Sequence, residues 1–257
     1  MPSKPNIASA VAFDKIHDLG RSPVIVTDDF LIGDLVGDDA AVLGGLAAAG
    51  WLVTDVAGAA NSDIDLISGS AALKNHPGII RLNTGPTTPA GGDEASLSLQ
   101  NLNGIVLPDV SDDDSASDEY VYLRTFILFP TEITNHEFNF GLFDAVDAAG
   151  RGVNGVSAEF DQSADTEWNL VVTDGSSSTA FAGSLVVAAD TWYDIELFAS
   201  EDHCALWVNG DFQAETNVST NIPDDEPLVP VYKVATEAAS EEEVHIDAFQ
   251  VRIPVTR

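Results

Sequence analysis

The acidic side chains are the first candidates for chemistry in this sequence, because carboxylate oxygens can hold cations or transfer protons. The loop Pro108–Glu119 is the most acidic and serine-rich stretch, and its part Asp112–Glu119 is acidic enough to attract calcium. Calcium prefers such hard oxygen ligands, yet the segment lacks the glycine and the ligand spacing of an EF-hand loop. We interpret it as a solvated loop, with a calcium ion bound at Asp112–Glu119 as the alternative.

Histidine and cysteine side chains are the next candidates, for metal binding or nucleophilic catalysis. His203 directly precedes Cys204, and neighbouring side chains on a strand point to opposite faces, so the two cannot act as base and nucleophile. No Gly-x-Ser-x-Gly elbow, phosphate-binding glycine loop or dinucleotide fingerprint occurs. We therefore predict no catalytic residue, no cofactor and no metal ligand. The histidines, which lack metal-ligand spacing, are His17, His76, His136, His203 and His245.

The charge of the chain excludes several classes of partner. Its 257 residues include 42 Asp+Glu against 10 Lys+Arg, a formal net charge of -32. Nucleic acids and anionic membrane surfaces require clustered basic residues, so neither is an expected partner. Apolar residues make up 45% of the chain, enough to fill a core. Because the acidic residues are spread along the chain and repel one another, we predict that stability rises from low salt to molar salt.

Cysteine usage and targeting patterns bear on the compartment. Cys204 is the single cysteine, so no internal disulfide is expected. The apolar stretch Ile7–Phe13 is short and lacks the basic flank of a signal peptide. The apolar run Val42–Val53 is twelve residues with three glycines, shorter than the roughly twenty needed to span a bilayer. We expect a soluble chain made in a reducing compartment.

The N-terminal segment differs in texture from the rest. Residues 1–23 are weakly patterned and carry three of the ten basic residues, Lys4, Lys15 and Arg21. We predict an arm that attaches to a partner or to another copy, with ordinary terminal fraying as the alternative. The remaining residues, 24–257, are predicted to form one domain.

That domain has the pattern of an all-β protein. β-type segments occur at Val24–Leu31, Tyr120–Phe129 and Val244–Ile253, and apolar residues alternate with acidic ones from Tyr193 to Leu197. Asn209-Gly210 lies between two such runs and predicts a tight hairpin, because both turn residues must take positive φ. Short strands at regular intervals predict an antiparallel β-sandwich. One short helix is the exception, with Asp38 as its cap and Gly50 after its end.

A series of landmarks resembles a known family. In order, they are His76–Gly85, Gly155–Asp161, Trp168, Asp190–Tyr193, Trp207–Gly210, Asn221–Pro223 and Ile246–Phe249. Their order and spacing resemble the concanavalin-like jelly-roll domains of tailed-bacteriophage virion proteins. The resemblance implies a jelly-roll fold and a non-enzymatic role as capsid decoration, head fibre or tail appendage. It also implies location on the virion, contacts with other virion proteins and self-association, most simply as a trimer.

The same fold carries glucanases and legume-type lectins, so their site patterns deserve comparison. Laminarinase-like glucanases have Glu-x-Asp and a further Glu two or three residues on, for nucleophile and acid. Here Glu159-Phe160-Asp161 supplies the first two, but Gln162 to Ala164 follow and Asp165 lies one place too far. Retaining hydrolysis is therefore not expected.

The lectin comparison leaves one metal alternative open. Glu159, Asp161 and Asp165 match the first three metal-binding positions of legume lectins, whereas the later ones fall near Leu170 and Gly175, which offer no side-chain ligand. A two-metal site is thus not expected. A single calcium near Asp161, Asp165 and Glu167 is the alternative to a solvated loop.

Carbohydrate binding is the alternative function. A lectin-like module would stack exposed aromatic rings on sugar faces, as part of host or surface glycan recognition. The four tryptophans are the candidates, although at least three of them have the pattern of core residues. They are Trp51, Trp168, Trp192 and Trp207.

Overall fold

A computed structural model shows the chain folded into two antiparallel β-sheets packed face to face. It describes residues 24–28, 50–56, 63–66, 78–85, 94–99, 104–109, 120–130, 133–144, 153–164, 166–175, 177–238 and 240–254. Three predicted features lie outside these residues. They are the arm at 1–23, the helix from Asp38 to Ala49 and the acidic loop Asp112–Glu119.

Strands make up most of the described residues, and this confirms the predicted all-β class. The strands are β1 Val24–Asp28, β2 Trp51–Val56, β3 Asp63–Leu66, β4 Ile80–Asn83, β5 Glu94–Leu99, β6 Val121–Leu128, β7 His136–Phe143, β8 Gly155–Asp161, β9 Glu167–Asp174, β10 Ser177–Val186, β11 Trp192–Ala199, β12 Cys204–Val208, β13 Asp211–Thr216, β14 Val229–Thr236 and β15 Glu243–Ile253. The described residues contain one 3₁₀ turn, Ser219–Asn221, and no helix long and apolar enough to cross a membrane.

Each sheet has a simple strand order. The eight-stranded sheet runs β13-β12-β11-β6-β15-β4-β3, with β1 also paired to β15. The seven-stranded sheet runs β10-β9-β8-β7-β14-β5-β2. Strands distant in sequence are therefore neighbours, as β6 and β15 show, and all pairs among the described strands are antiparallel. The predicted strand Tyr120–Phe129 forms the middle of the eight-stranded sheet as β6.

The core lies between the sheets and follows from the period of two along each strand. Alternate residues of β7 and β8 face inward, among them Phe138, Phe140 and Phe160, each 0% exposed. A hydrogen bond of 2.8 Å from the Tyr232 hydroxyl to Thr125 Oγ1 joins the two sheets within this core. The core is continuous across both sheets, which accounts for the sandwich as a single packed unit.

Two predicted turns and strand limits can be compared directly. Asn209 and Gly210 have φ values of 54° and 80° and connect β12 to β13, which confirms the hairpin. β11 contains the predicted alternation from Tyr193 to Leu197, and β15 begins at Glu243, one residue before the predicted start at Val244. The predicted strand from Val24 is described only as far as Asp28.

Candidate functional site

The outer face of the seven-stranded sheet carries a row of polar side chains. Because β7 and β8 point every second residue into the core, Asn139 and Glu159 point to the opposite face. The strand register aligns Lys233 with Asn139, Asn139 with Glu159, and Glu159 with Asn169. Each of these four residues is at most 5% exposed. We call them the polar row.

Lys233 neutralises two carboxylates beside this row. Its Nζ lies 3.2 Å from Glu94 Oε2 and 3.5 Å from Glu137 Oε1. Asn139 Nδ2 donates a 3.0 Å hydrogen bond to the same Glu137 oxygen. Burying charges is tolerated when they are paired and hydrogen-bonded, as here. Glu94 and Glu137 are therefore held by this cation, which limits their freedom to act as acid or base.

The backbone of the face is shaped by a close approach of β7 to β8. Gly141 lies opposite Ser157, and a Cβ at position 141 would overlap the Val156 carbonyl oxygen and the Ser157 Cα. Only glycine permits this approach. The polar row thus rests on two strands whose spacing depends on one residue type.

The Glu-x-Asp pair lies at the end of β8, and its two carboxylates have different surroundings. Glu159 is 4% exposed and lies between Asn139 and Asn169 in the register. Asp161 Oδ1 accepts hydrogen bonds from Ser163 N at 3.0 Å and Ala164 N at 3.2 Å, which close the turn after the strand. Asp161 therefore stabilises a turn.

Ser163 occupies a position where the glucanase pattern requires a carboxylate, and it contacts one instead. Its Oγ lies 2.9 Å from Asp161 Oδ1 and within hydrogen-bond distance of Glu237 Oε1, and its single proton is donated to one of these two oxygens at a time. Glu237 comes from the segment after β14, and both Ser163 and Glu237 are exposed. The hydroxyl links two carboxylates at the rim of the sheet. We call Asp161, Ser163 and Glu237 the acidic rim.

The predicted single-calcium site is placed only in part. Glu167 Oε2 accepts a 3.2 Å hydrogen bond from Thr166 N, while Asp165 lies outside the described residues. Of the later lectin positions, Leu170 is fully buried in the core and Gly175 donates its N–H to Asn154 Oδ1 at 2.8 Å. The calcium alternative at Asp161, Asp165 and Glu167 stays a prediction.

The tryptophans are mostly core residues. Trp51, Trp168 and Trp207 are each no more than 2% exposed, and Trp192 is half-buried. A ring enclosed by protein cannot stack on a sugar, so a glycan surface built on tryptophan would have Trp192 alone among the four.

The structure describes Cys204 and three of the histidines, His136, His203 and His245, whereas His17 and His76 lie outside the described residues. His136 Nδ1 lies 3.0 Å from Glu242 Oε2, with both side chains buried, and His203 Nε2 lies 3.3 Å from Glu215 Oε2. Cys204 is fully buried, and burial raises the pKa of its thiol to about 12. A thiol that remains protonated at neutral pH is a poor nucleophile.

One acidic cluster was not predicted as a site from the sequence. Carboxylate oxygens of Glu201, Asp224 and Asp225 lie within 4.8 Å of one another. Burial, reinforced by the charge of Asp224, raises the pKa of Glu201. The acidic run Asp224-Asp225-Glu226 was visible in the sequence, but its approach to Glu201 depends on how two separate loops pack.

Comparison with known proteins defines the fold and leaves the activity open. No protein-family model and no curated protein matches this chain. Among solved structures, a protein of unknown function from Shewanella oneidensis MR-1 matches with a TM-score of 0.58 and 12% identity, covering 99% of each chain. The potassium-bound carbohydrate recognition domain of Emp46p matches with a TM-score of 0.55 and 14% identity, covering 89% of this chain and 96% of that domain.

A glycoside hydrolase is also among these structures. A Bacteroides ovatus mixed linkage glucan GH16 protein, in complex with a G4G4G3G product, matches with a TM-score of 0.56 and 10% identity. The match covers 88% of this chain and 99% of that protein. The chain therefore has the concanavalin-like jelly-roll fold that lectin domains and glycoside hydrolases share. At such low identity the likeness extends to the fold alone.

Proposed function

We propose that this chain is a non-enzymatic structural protein on the surface of a tailed-phage particle, as capsid decoration, head fibre or tail appendage. The observation that carries the non-enzymatic part is the engagement of the carboxylates on the outer face. Lys233 binds Glu94 and Glu137, and the turn after β8 binds Asp161. Glycoside hydrolysis needs two carboxyl groups placed on either side of the scissile bond.

The phage assignment is supported by the order of sequence landmarks from His76–Gly85 to Ile246–Phe249, and the fold agrees with it. A β-sandwich can serve as a structural protein without catalysing a reaction, because a fold does not by itself imply an activity. Binding energy in such an assembly comes mainly from buried apolar surface, since buried charge pairs contribute little net affinity. The proposed partners are other virion proteins.

Three measurements test this proposal. Purified particles are analysed by peptide mass spectrometry, and cryo-EM then locates the chain on the particle. We expect stoichiometric peptides and density at the particle surface. Particles without this chain would overturn the proposed location.

Separately, the chain and its Glu159→Gln variant are incubated with a β-glucan. We expect neither to release reducing ends, and release that Glu159→Gln abolishes would establish a hydrolase.

Carbohydrate binding is the second candidate, and the acidic rim favours it. Asp161, Ser163 and Glu237 place carboxylate oxygens and a hydroxyl at an accessible end of the outer face, where they could accept hydrogen bonds from sugar hydroxyls. A glycan array with and without calcium tests this candidate. Binding that is lost in Glu237→Ala but kept in Val106→Ala would support it. An array without binding under both conditions would exclude it for the glycans displayed.

A further inference from the structure

Two members of the polar row carry side chains that can react with each other. Lys233 on β14 and Asn139 on β7 are direct partners in the strand register. Side chains opposed in this way on neighbouring strands have Cβ atoms about 4.5–5.5 Å apart. Asn139 is 0% exposed and Lys233 is 5% exposed. A primary amine and a carboxamide are therefore enclosed side by side, away from solvent.

One oxygen atom of Glu137 contacts both of these groups. Its Oε1 accepts the 3.0 Å hydrogen bond from Asn139 Nδ2 and lies 3.5 Å from Lys233 Nζ. Glu137 precedes Asn139 by two residues on β7, so the strand period places both side chains on the same face. A carboxylate in this position can take a proton from the amine and deliver one to the amide nitrogen. Pairing with Lys233 limits the reactivity of this carboxylate towards other groups, but it places the carboxylate next to the proton that it would accept.

The amide oxygen of Asn139 is a second, independent indication. Oδ1 is buried and has no hydrogen-bond partner among the residues that the structure describes. A buried acceptor without a donor costs free energy. A proton that remained on the Glu137 carboxyl after a reaction at the amide carbon would supply the missing donor.

We propose that Lys233 and Asn139 form an intramolecular isopeptide bond with release of ammonia. Glu137 Oε1 takes a proton from the Lys233 ammonium, and the neutral Nζ attacks Asn139 Cγ. The Nζ–Cγ bond forms, the Cγ–Nδ2 bond breaks with its electron pair on nitrogen, and Nδ2 leaves as ammonia. Of the three protons on the ammonium, one stays on the new amide, one leaves in the ammonia and one remains on Glu137. The reaction needs no oxidant, reductant or further reactant.

The enclosed geometry favours this reaction. Holding the amine beside the amide raises its effective concentration by several orders of magnitude over a reaction between separate molecules. The exclusion of water prevents hydrolysis from competing with attack by the amine. The net charge of the site is unchanged, because the ammonium and one carboxylate both become neutral.

The contacts of Lys233 described above are those of the unlinked side chains. In the linked form, the remaining N–H can donate to Glu94, whose Oε2 lies 3.2 Å from Nζ. The protonated Glu137 can donate to Asn139 Oδ1. The bond would join β7 to β14, neighbours inside the seven-stranded sheet that are distant in sequence. A covalent link of this kind restricts the unfolded chain as a disulfide does. It depends only on these side chains and is independent of the virion assignment.

Mass spectrometry of the purified full chain tests the proposal. We expect the chain to be lighter than its sequence by one ammonia, and digestion to leave the peptides of Lys233 and Asn139 joined. Lys233→Arg keeps the positive charge but removes the nucleophilic amine, and Asn139→Ala removes the reacting carbon. Both variants should keep the full mass of their sequences. A folded chain at its full sequence mass would overturn the proposal. So would a loss of ammonia that maps to Asn209-Gly210, where a side-chain amide can close on the next backbone nitrogen.

The rate of linking tests the part assigned to Glu137. Chain newly made by cell-free synthesis is sampled over time, and the loss of ammonia should be first order and independent of protein concentration. Glu137→Gln should slow it roughly a hundredfold or more. The matched control is Glu215→Gln on the other sheet, where the carboxylate lies 3.3 Å from His203 Nε2, and it should keep the rate of the unchanged chain. Circular dichroism verifies that each variant is folded. Equal rates for folded Glu137→Gln and the unchanged chain would refute the proton transfer through Glu137.

Discussion

The outer faces of the two sheets both bury side chains, but they do so with different chemistry. On the seven-stranded sheet, Lys233 pairs with Glu94 and Glu137 beside a row of buried amides and carboxylate. On the eight-stranded sheet, aromatic rings cross four strands, with centroids 4.9 Å apart for Tyr122–Phe198, 4.9 Å for Phe198–Trp207 and 5.4 Å for Trp207–Phe212. We call these four rings the aromatic ladder.

The comparison teaches that burial on an outer face has two energetic bases. The aromatic ladder is stabilised by apolar area and ring contacts, which need no charge balance. The polar face depends on one cation, and its loss would leave carboxylates buried without a counter-charge. Substitutions in the aromatic ladder should therefore lower the free energy of unfolding in proportion to the apolar area lost. On the polar face, replacing Lys233 alone should lower it strongly.

The largest expected effect is at Lys233. Replacing it by Met leaves Glu94 and Glu137 without their cation and should cost about 3–5 kcal/mol of unfolding free energy, measured by denaturant titration. The matched control is Arg124→Met on the other outer face. Arg124 binds Asp194 with two hydrogen bonds of 2.8 Å, but the side chains are 35% and 22% exposed, so the cost should be about 1 kcal/mol. Equal costs would refute the contrast between the faces.

The aromatic ladder should respond in proportion to burial. Trp207→Ala removes a ring that is 2% exposed and should cost about 3 kcal/mol, while Phe212→Ala removes a half-buried ring and should cost about 1 kcal/mol. Chemical denaturation of both variants gives the two values. A larger loss for Phe212 than for Trp207 would show that the ladder is not stabilised mainly by buried area.

Salt separates surface repulsion from the buried pairing. The melting temperature of the unchanged chain should rise by about 5 °C between about 0.1 M and about 1 M salt, because repulsion among acidic residues is screened. The loss of unfolding free energy in Lys233→Met, relative to the unchanged chain, should change little with salt. Salt screens buried pairs much less than exposed charges. A flat melting temperature would remove the surface-repulsion hypothesis.

The smallest effect concerns a basic group on the eight-stranded sheet. Burial, aided by the nearby Arg81, lowers the pKa of His245 to about 4, and Glu243 lies 3.7 Å away. Since the unfolded chain has a histidine pKa of about 6.5, this group contributes stability above that pH, and the contribution is lost as pH falls towards 4. His245→Gln should lose less stability over that window than the unchanged chain, by about 1 kcal/mol after allowance for partial exposure.

Urea titrations at several pH values measure this difference. Arg81→Gln removes one cause of the lowered pKa of His245, so this pKa should rise. The loss of stability on acidification should then be complete at a higher pH than in the unchanged chain. Parallel pH profiles for His245→Gln and the unchanged chain would contradict the assignment.

Several features were predictable because they depend on neighbours in sequence. The alternation from Tyr193 to Leu197 identifies a half-buried strand, and Asn209-Gly210 identifies its hairpin through the φ values that the turn requires. The lack of a second catalytic carboxylate at positions 162 to 164 was likewise visible in the sequence. The pairing of Lys233 with Glu94 and Glu137 was not, because the three residues lie on three strands with unrelated sequence positions.

The amino-acid sequence by itself determined that this chain forms layered antiparallel strands around an apolar core, since side-chain period and turn chemistry are local properties. Strand order decided the rest. The uncharged segment Ser177–Val186 lies at a sheet edge only because of the topology, and Glu94 gains a counter-charge only because the fold places Lys233 beside it. Which strands become neighbours depends on hydrogen-bond pairing between segments that are distant in sequence. This pairing cannot be predicted from the local sequence pattern.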